Sequence, residues 1–187
     1  MLSAALGVII SSKSSLIGVI RMKELMTQEV IKAPPSVVWD RLTESSNYSH
    51  WNDFIKRFEG DPLDGNRLRV SFKIPDKKGF RYFNYRPHVV KADPEKELRW
   101  VGNPYLFGFV FSGEHYFVLR PMKDGNTEFL HGEIFKGILL PIMWNYLTTF
   151  YRSALIEFNR SLRKICESPE ADEAVLETGQ EIASESR

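Results

Sequence analysis

Hydrophobic and polar residues alternate along most of this chain and fall into a helical period only towards its end. The run LMTQEVIK, Leu25 to Lys32, alternates as a strand does and stops at Ala33-Pro34-Pro35. Pro35 holds Pro34 in an extended backbone and is itself tolerated in the first turn of a helix. SVVWDRL then sets Val38, Trp39 and Leu42 at helical spacing, which predicts one short amphipathic helix. A second short helix is expected from Ser45 to Trp51, capped by Ser45 or Ser46.

Six further strand patterns follow: FIKRFEG, RLRVSFKI, FRYFNYRPHVVKA, ELRWVG, VFSGEHYFVLRPM and TEFLHGEIF. Turn residues separate them, as at Pro75 to Gly79 and Lys123 to Asn126, and the aromatic loop NPYLFGF precedes the fifth. Pro87 lies inside the long third pattern and predicts a bulge or an edge position. Short turns between so many strands mean an antiparallel meander of about seven strands. From Pro141 to Glu167 nothing breaks a helix, and Leu147, Tyr151, Ala154, Leu155, Phe158, Leu162 and Ile165 form one apolar stripe. Such a helix spans ~40 Å, enough to cross the sheet. The pattern is α+β: a curved sheet, two short helices after its first strand, and a long C-terminal helix.

Composition narrows the function classes. The 187 residues fit one domain with a substantial core, with no internal repeat or linker to suggest a second. A net charge of +1 gives no field to gather nucleic acid or anionic membrane. Arg67, Arg69, Arg81 and Arg86 interleave with aromatics but read as the solvated face of alternating strands. The single cysteine, Cys166, excludes a disulfide framework and any zinc site of several thiolates; beside Arg163 and Lys164 it reads as an ordinary helix residue.

The ends read differently. Residues 1–24 are expected to be an extension outside the domain. Met1 to Ile20 is apolar but split by serines, and neither half reaches the roughly 20 residues of a spanning helix. Its basic, serine-rich, acid-free composition resembles an organelle transit peptide, and fits a disordered extension or a start at Met22 equally well. The expected location is cytoplasmic, with an organelle as the alternative. Residues 168–187 are acidic and poor in large apolar groups, the composition of a disordered tail.

The order strand, two short helices, six strands, long helix is the helix-grip order. The words IKAPPSVVWDRLTESSNYSHWN, EGDPLDGNRLRVSF, ADPEKELRW, GEHYFVLRPMKDGNTEF and GEIFKG occur in matching sequence. Together they resemble the SRPBCC superfamily, in its polyketide cyclase/dehydrase or START-like lipid-binding branch, over Leu25 to Glu167. Ser49 and Asp53 stand where the opening helix pair of that superfamily often carries prolines. The resemblance implies a cavity between the sheet and the C-terminal helix. Its members bind lipids, sterols, hormones or polyketides; some are enzymes and others bind protein partners.

A cavity also follows from geometry, because a curved sheet and one helix cannot touch everywhere, and the gap must hold large side chains or a ligand. Trp100, Phe107, Phe109, Phe117, Phe129, Trp144, Tyr146, Phe150 and Tyr151 are the candidate walls, with a packed core as the plainer use of each.

The candidate chemistry lies on one hairpin. Alternation puts His115, Phe117 and Leu119 on one face of a strand, and Phe129, His131, Glu133 and Phe135 on one face of the next. Glu114 falls on the opposite, solvent side. Two imidazoles and a carboxylate facing an apolar cavity would suit acid–base work such as aldol cyclisation, dehydration or proton shuffling; the alternative is that they are polar handles. The same three side chains make only a weak metal pattern, and no metal is assigned. No nucleophile elbow, phosphate loop or dinucleotide fingerprint is present, and no cofactor is expected. Three functions stay open: a binder of a hydrophobic small molecule without a nucleic-acid partner or membrane span; a cofactor-free cyclase or dehydratase using His115, His131 and Glu133; and an interaction module with a closed core.

Overall fold

The computed structural model describes residues 21–44, 48–102 and 110–168. The first strand, β1 (Arg21–Ile31), buries Leu25, Thr27, Glu29 and Ile31 in strict alternation and starts at Arg21 rather than Leu25. Pro34, extended at φ −68° and ψ 157°, turns the chain into α1 (Pro35–Thr43), with a proline in its first turn and Val37, Val38 and Leu42 buried. The second helix, α2 (Tyr48–Trp51), ends at Asn52, whose side chain donates to the Tyr48 carbonyl and accepts from the amides of Phe54 and Ile55. The expected caps Ser45 and Ser46 lie outside the described residues.

Among the described residues eight strands form two antiparallel sheets, where the sequence pattern predicts about seven in one. Strands β2 (Ile55–Glu59), β3 (Arg69–Asp76) and β4 (Gly79–Tyr85) make the smaller sheet. The larger sheet adds β5 (His88–Asp93), β6 (Glu97–Gly102), β7 (Ser112–Pro121) and β8 (Thr127–Gly137) to β1, in the order β1-β8-β7-β6-β5. The extra strand comes from Arg86-Pro87. Proline has no N–H to offer a ladder, so the long pattern breaks there: Tyr85 pairs with Val70 in one sheet and His88 with Val101 in the other. The Pro87 carbonyl is satisfied instead by the Leu68 amide at 3.0 Å, and an isolated bridge between Arg67 and His88 joins the sheets at this corner.

The C-terminal helix runs as α3 (Leu140–Tyr146), a π-helical turn (Leu147–Tyr151) and α4 (Arg152–Cys166). The π turn, marked by the Arg152 amide reaching back to the Leu147 carbonyl, inserts a residue and resets the bearing of the side chains that follow. Beyond it Leu155, Phe158 and Leu162 are fully buried, with Asn159 among them. Together with the two sheets the helix makes a helix-grip fold. Among the described residues, no helix is long and apolar enough to cross a membrane.

Candidate functional site

Register brings the candidate chemistry together. On the inner face of the larger sheet, Leu25, Glu133, His115, Trp100 and Val89 form one cross-strand row. Thr27, His131, Phe117 and Leu98 form the next. Both imidazoles are 0 % exposed and Glu133 is 7 % exposed. Aromatic rings hold them: Trp100 stacks on His115 with centroids 4.7 Å apart, and Phe117 and Phe158 pack on His131 at 4.6 and 4.8 Å.

Within this apolar box the polar groups form one hydrogen-bonded chain. The Tyr151 hydroxyl donates to Glu133 Oε2 at 2.6 Å, and His115 Nδ1 lies 2.6 Å from the same oxygen. His115 Nε2 meets His131 Nε2 at 2.9 Å. His131 Nδ1 meets Asn159 Oδ1 at 2.7 Å, Asn159 Nδ2 donates to Thr27 Oγ1 at 3.0 Å, and Thr27 Oγ1 donates to the His131 carbonyl at 3.0 Å. Burial, and secondly the neighbouring His115 imidazole, hold the His131 imidazole well below its usual range, so it stays neutral. Burial, with the Glu133 carboxylate beside it, holds the phenols of Tyr151 and Tyr85 well above theirs.

One end of the chain opens on a cavity of about 210 Å³. Phe72, Ile74 and Phe83 wall it from the smaller sheet, Phe135 from the larger, Phe111 from the residue before β7, and Met143, Leu147 and Phe150 from the helix. Its polar lining is Glu133, Tyr85, Tyr151 and, more exposed, Tyr146 and Arg81. Two glycines make the space: a Cβ on Gly113 would lie 2.0 Å from Glu133 Oε1, and one on Gly102 would lie 2.4 Å from the Tyr85 ring. The Tyr85 hydroxyl accepts from Trp100 Nε1 at 2.9 Å.

Of the candidate walls, Tyr146, Phe150 and Tyr151 line this cavity. Trp100, Phe117 and Phe129 are instead fully buried in the core around the histidines. Trp144 sits half-buried under the Lys23 ammonium, 4.2 Å from its ring centroid. Phe107 and Phe109 lie outside the described residues. On the outer face Glu114 pairs with Arg99 at 2.6 Å and Lys136 at 3.6 Å, half-buried rather than free in solvent. Among the described residues, no cluster of three ligand-type side chains is arranged for a metal ion; the facing Nε2 atoms are spent on each other. Nothing in the sequence pattern marks Thr27 or Tyr85 as part of this site. Asn159 does carry a signal, four residues after Leu155 and three before Leu162 on the buried stripe.

The family model described as "Polyketide cyclase / dehydrase and lipid transport" matches residues 22–163. Comparison with the curated proteins gives no match. Among solved structures, norcoclaurine synthase from Thalictrum flavum is similar with TM-score 0.61 at 11% identity, over 80% of this chain and 96% of that one. A protein from Mesorhizobium loti matches with TM-score 0.56 at 18% identity, over 77% and 96%. CalU16 from Micromonospora echinospora matches with TM-score 0.53 at 16% identity, over 96% and 97%. At such identities the likeness is one of fold.

Proposed function

The chain belongs to the polyketide cyclase/dehydrase and lipid transport family, and from that premise we propose that it binds a small hydrophobic molecule, lipid, sterol or polyketide-like, between its sheets and its C-terminal helix. The observation that carries this reading is the apolar cavity with a single carboxylate, Glu133, at its inner end. Ligand sites are typically apolar and of about 300–1,000 Å³, with few polar handles. The 210 Å³ here suits a compact, ring-sized portion of a ligand. A more open groove of about 320 Å³ shares the walls Ile74 and Phe150, and gives a longer ligand somewhere to continue. Space of this kind weighs against a closed-core interaction module. Native mass spectrometry of the purified protein tests the reading: an apolar mass retained by the wild type should be lost in Met143→Trp, which fills the cavity from its half-buried wall. Retention by a folded Met143→Trp protein would place the ligand elsewhere.

One observation favours a second reading, a cofactor-free cyclase or dehydratase. Glu133 is both ligand-facing and 2.6 Å from a histidine that can share its proton, so proton transfer between ligand and carboxylate needs no other co-reactant. Here Glu133→Gln should abolish turnover of a substrate while leaving its affinity within a few-fold. Unchanged turnover would leave binding as the whole function.

A further inference from the structure

The protons of the buried chain can be counted from its fixed end. A backbone carbonyl only accepts, so the Thr27 hydroxyl spends its one proton on the His131 carbonyl. Asn159 must then donate to Thr27 through Nδ2, which turns its Oδ1 towards His131. His131 therefore carries its proton on Nδ1. Being buried and neutral, it presents a bare Nε2, so the proton between the two imidazoles belongs to His115 Nε2. The short contact from His115 Nδ1 to Glu133 Oε2 holds one further proton, while the Tyr151 hydroxyl, 3.2 Å from the same nitrogen, spends its own proton on Oε2. Wherever along that contact this proton sits, the charges of Glu133, His115 and His131 sum to zero.

Glu133 Oε2 is occupied by His115 and Tyr151. Oε1 has no partner among the described residues, and Gly113 keeps its approach open. Tyr85 already accepts from Trp100, which leaves its own proton to donate. Apart from the exposed Tyr146 and the Tyr151 hydroxyl already engaged with Glu133, the inner cavity thus offers one acceptor and one donor and no net charge. Arg81, the one cation on the lining, stands on an exposed strand. A carboxylate pushed inward would meet the Glu133 oxygens without a counter-charge, and an ammonium would meet a site already neutralised.

We infer that Glu133, His115 and His131 form one net-neutral unit, and that the cavity selects a neutral molecule through a hydroxyl group which donates to Glu133 Oε1 and accepts from Tyr85. The inference rests on the reading of the cavity as an apolar binding site. Asn159 and Thr27 act as positioning residues: they touch no ligand, but set which nitrogen of His131 is protonated.

Calorimetric titration at neutral pH with naphthalene, 2-naphthol and 2-naphthoate separates the two levels. The naphthol should bind at least about tenfold tighter than the naphthoate. Tyr85→Phe should weaken the naphthol several-fold and leave naphthalene unchanged. Naphthoate binding as tightly as naphthol would overturn the inference while the apolar site stood; failure of all three to bind would remove both. Ring-nitrogen NMR of the histidines gives a ligand-free check: His131 should be protonated at Nδ1 and bare at Nε2, and the opposite tautomer would overturn the proton count.

Discussion

Asn159→Leu is the sharpest test of whether the buried chain is energetically connected. Leucine keeps the branching of asparagine, with bulkier terminal groups, but removes both ends of its bridge. The His131 Nδ1–H loses its acceptor in a site 0 % exposed, and Thr27 Oγ1 loses the donor at 3.0 Å. An unpaired buried donor costs about 1–3 kcal/mol, offset in part by burial of the leucine. In a domain of this size 1 kcal/mol moves Tm by about 2–4 °C, so Tm should fall by several degrees. Thr27→Val should also destabilise, because it strands the Asn159 amide. Combined, the two should cost less than their sum by about 0.5–3 kcal/mol, since the bond between them can be lost only once. Urea unfolding followed by tryptophan fluorescence, with the m-value checked for constancy, measures all three variants. A cost for Asn159→Leu below about 0.5 kcal/mol, or additivity within about 0.3–0.5 kcal/mol, would refute the connected chain.

Other consequences are open to direct measurement. Gly113→Ala places a Cβ 2.0 Å from Glu133 Oε1, so 2-naphthol binding should be lost while the protein stays folded; undiminished binding would remove Glu133 Oε1 from the contact. The His131 imidazole is held below its unfolded value of 6.5, so below that pH the unfolded chain takes up a proton that the folded chain does not. Stability is therefore lost as pH falls below 6.5, at up to about 1.4 kcal/mol per pH unit for this one group. His131→Phe should show a correspondingly shallower acid slope, and equal slopes would contradict the assignment. Burial pushes the Cys166 thiol up to about 12, so a thiol reagent should react with it only as fast as the protein opens; reaction at the rate of an exposed cysteine would contradict its place in the core.

Much of the fold is written in local pattern. Alternation in GEHYF and FLHGEIF places His115, His131 and Glu133 on one face, and the register His115↔Glu133 makes them neighbours. The stripe from Leu147 to Leu162 marks the helix face that covers them. What the pattern cannot convey is what stands above that face. Tyr85 reaches the cavity because Arg86-Pro87 ends its strand and turns the chain between sheets, and a proline in an alternating run reads equally well as a bulge. Tyr151 reaches Glu133 from the end of a π turn that no residue in LTTFY announces. The aromatics divide for the same reason: Trp100 and Phe117 share the strand alternation of a cavity wall, yet the rings of Phe58 and Phe158 close over them. Periodicity assigns a side chain to a face; only the packing of distant segments decides whether the face meets a neighbour or a void.

A hydrophobic guest beneath the helix is most directly tested by methyl NMR during titration with 2-naphthol. The methyl groups of Ile74, from the smaller sheet, and of Met143 and Leu147, from the helix, all line the cavity and should shift together along one saturating curve, while those of Val38 and Ile55 in the closed core stay in place. Shifts confined to other residues, or none at saturating naphthol, would contradict binding at this site.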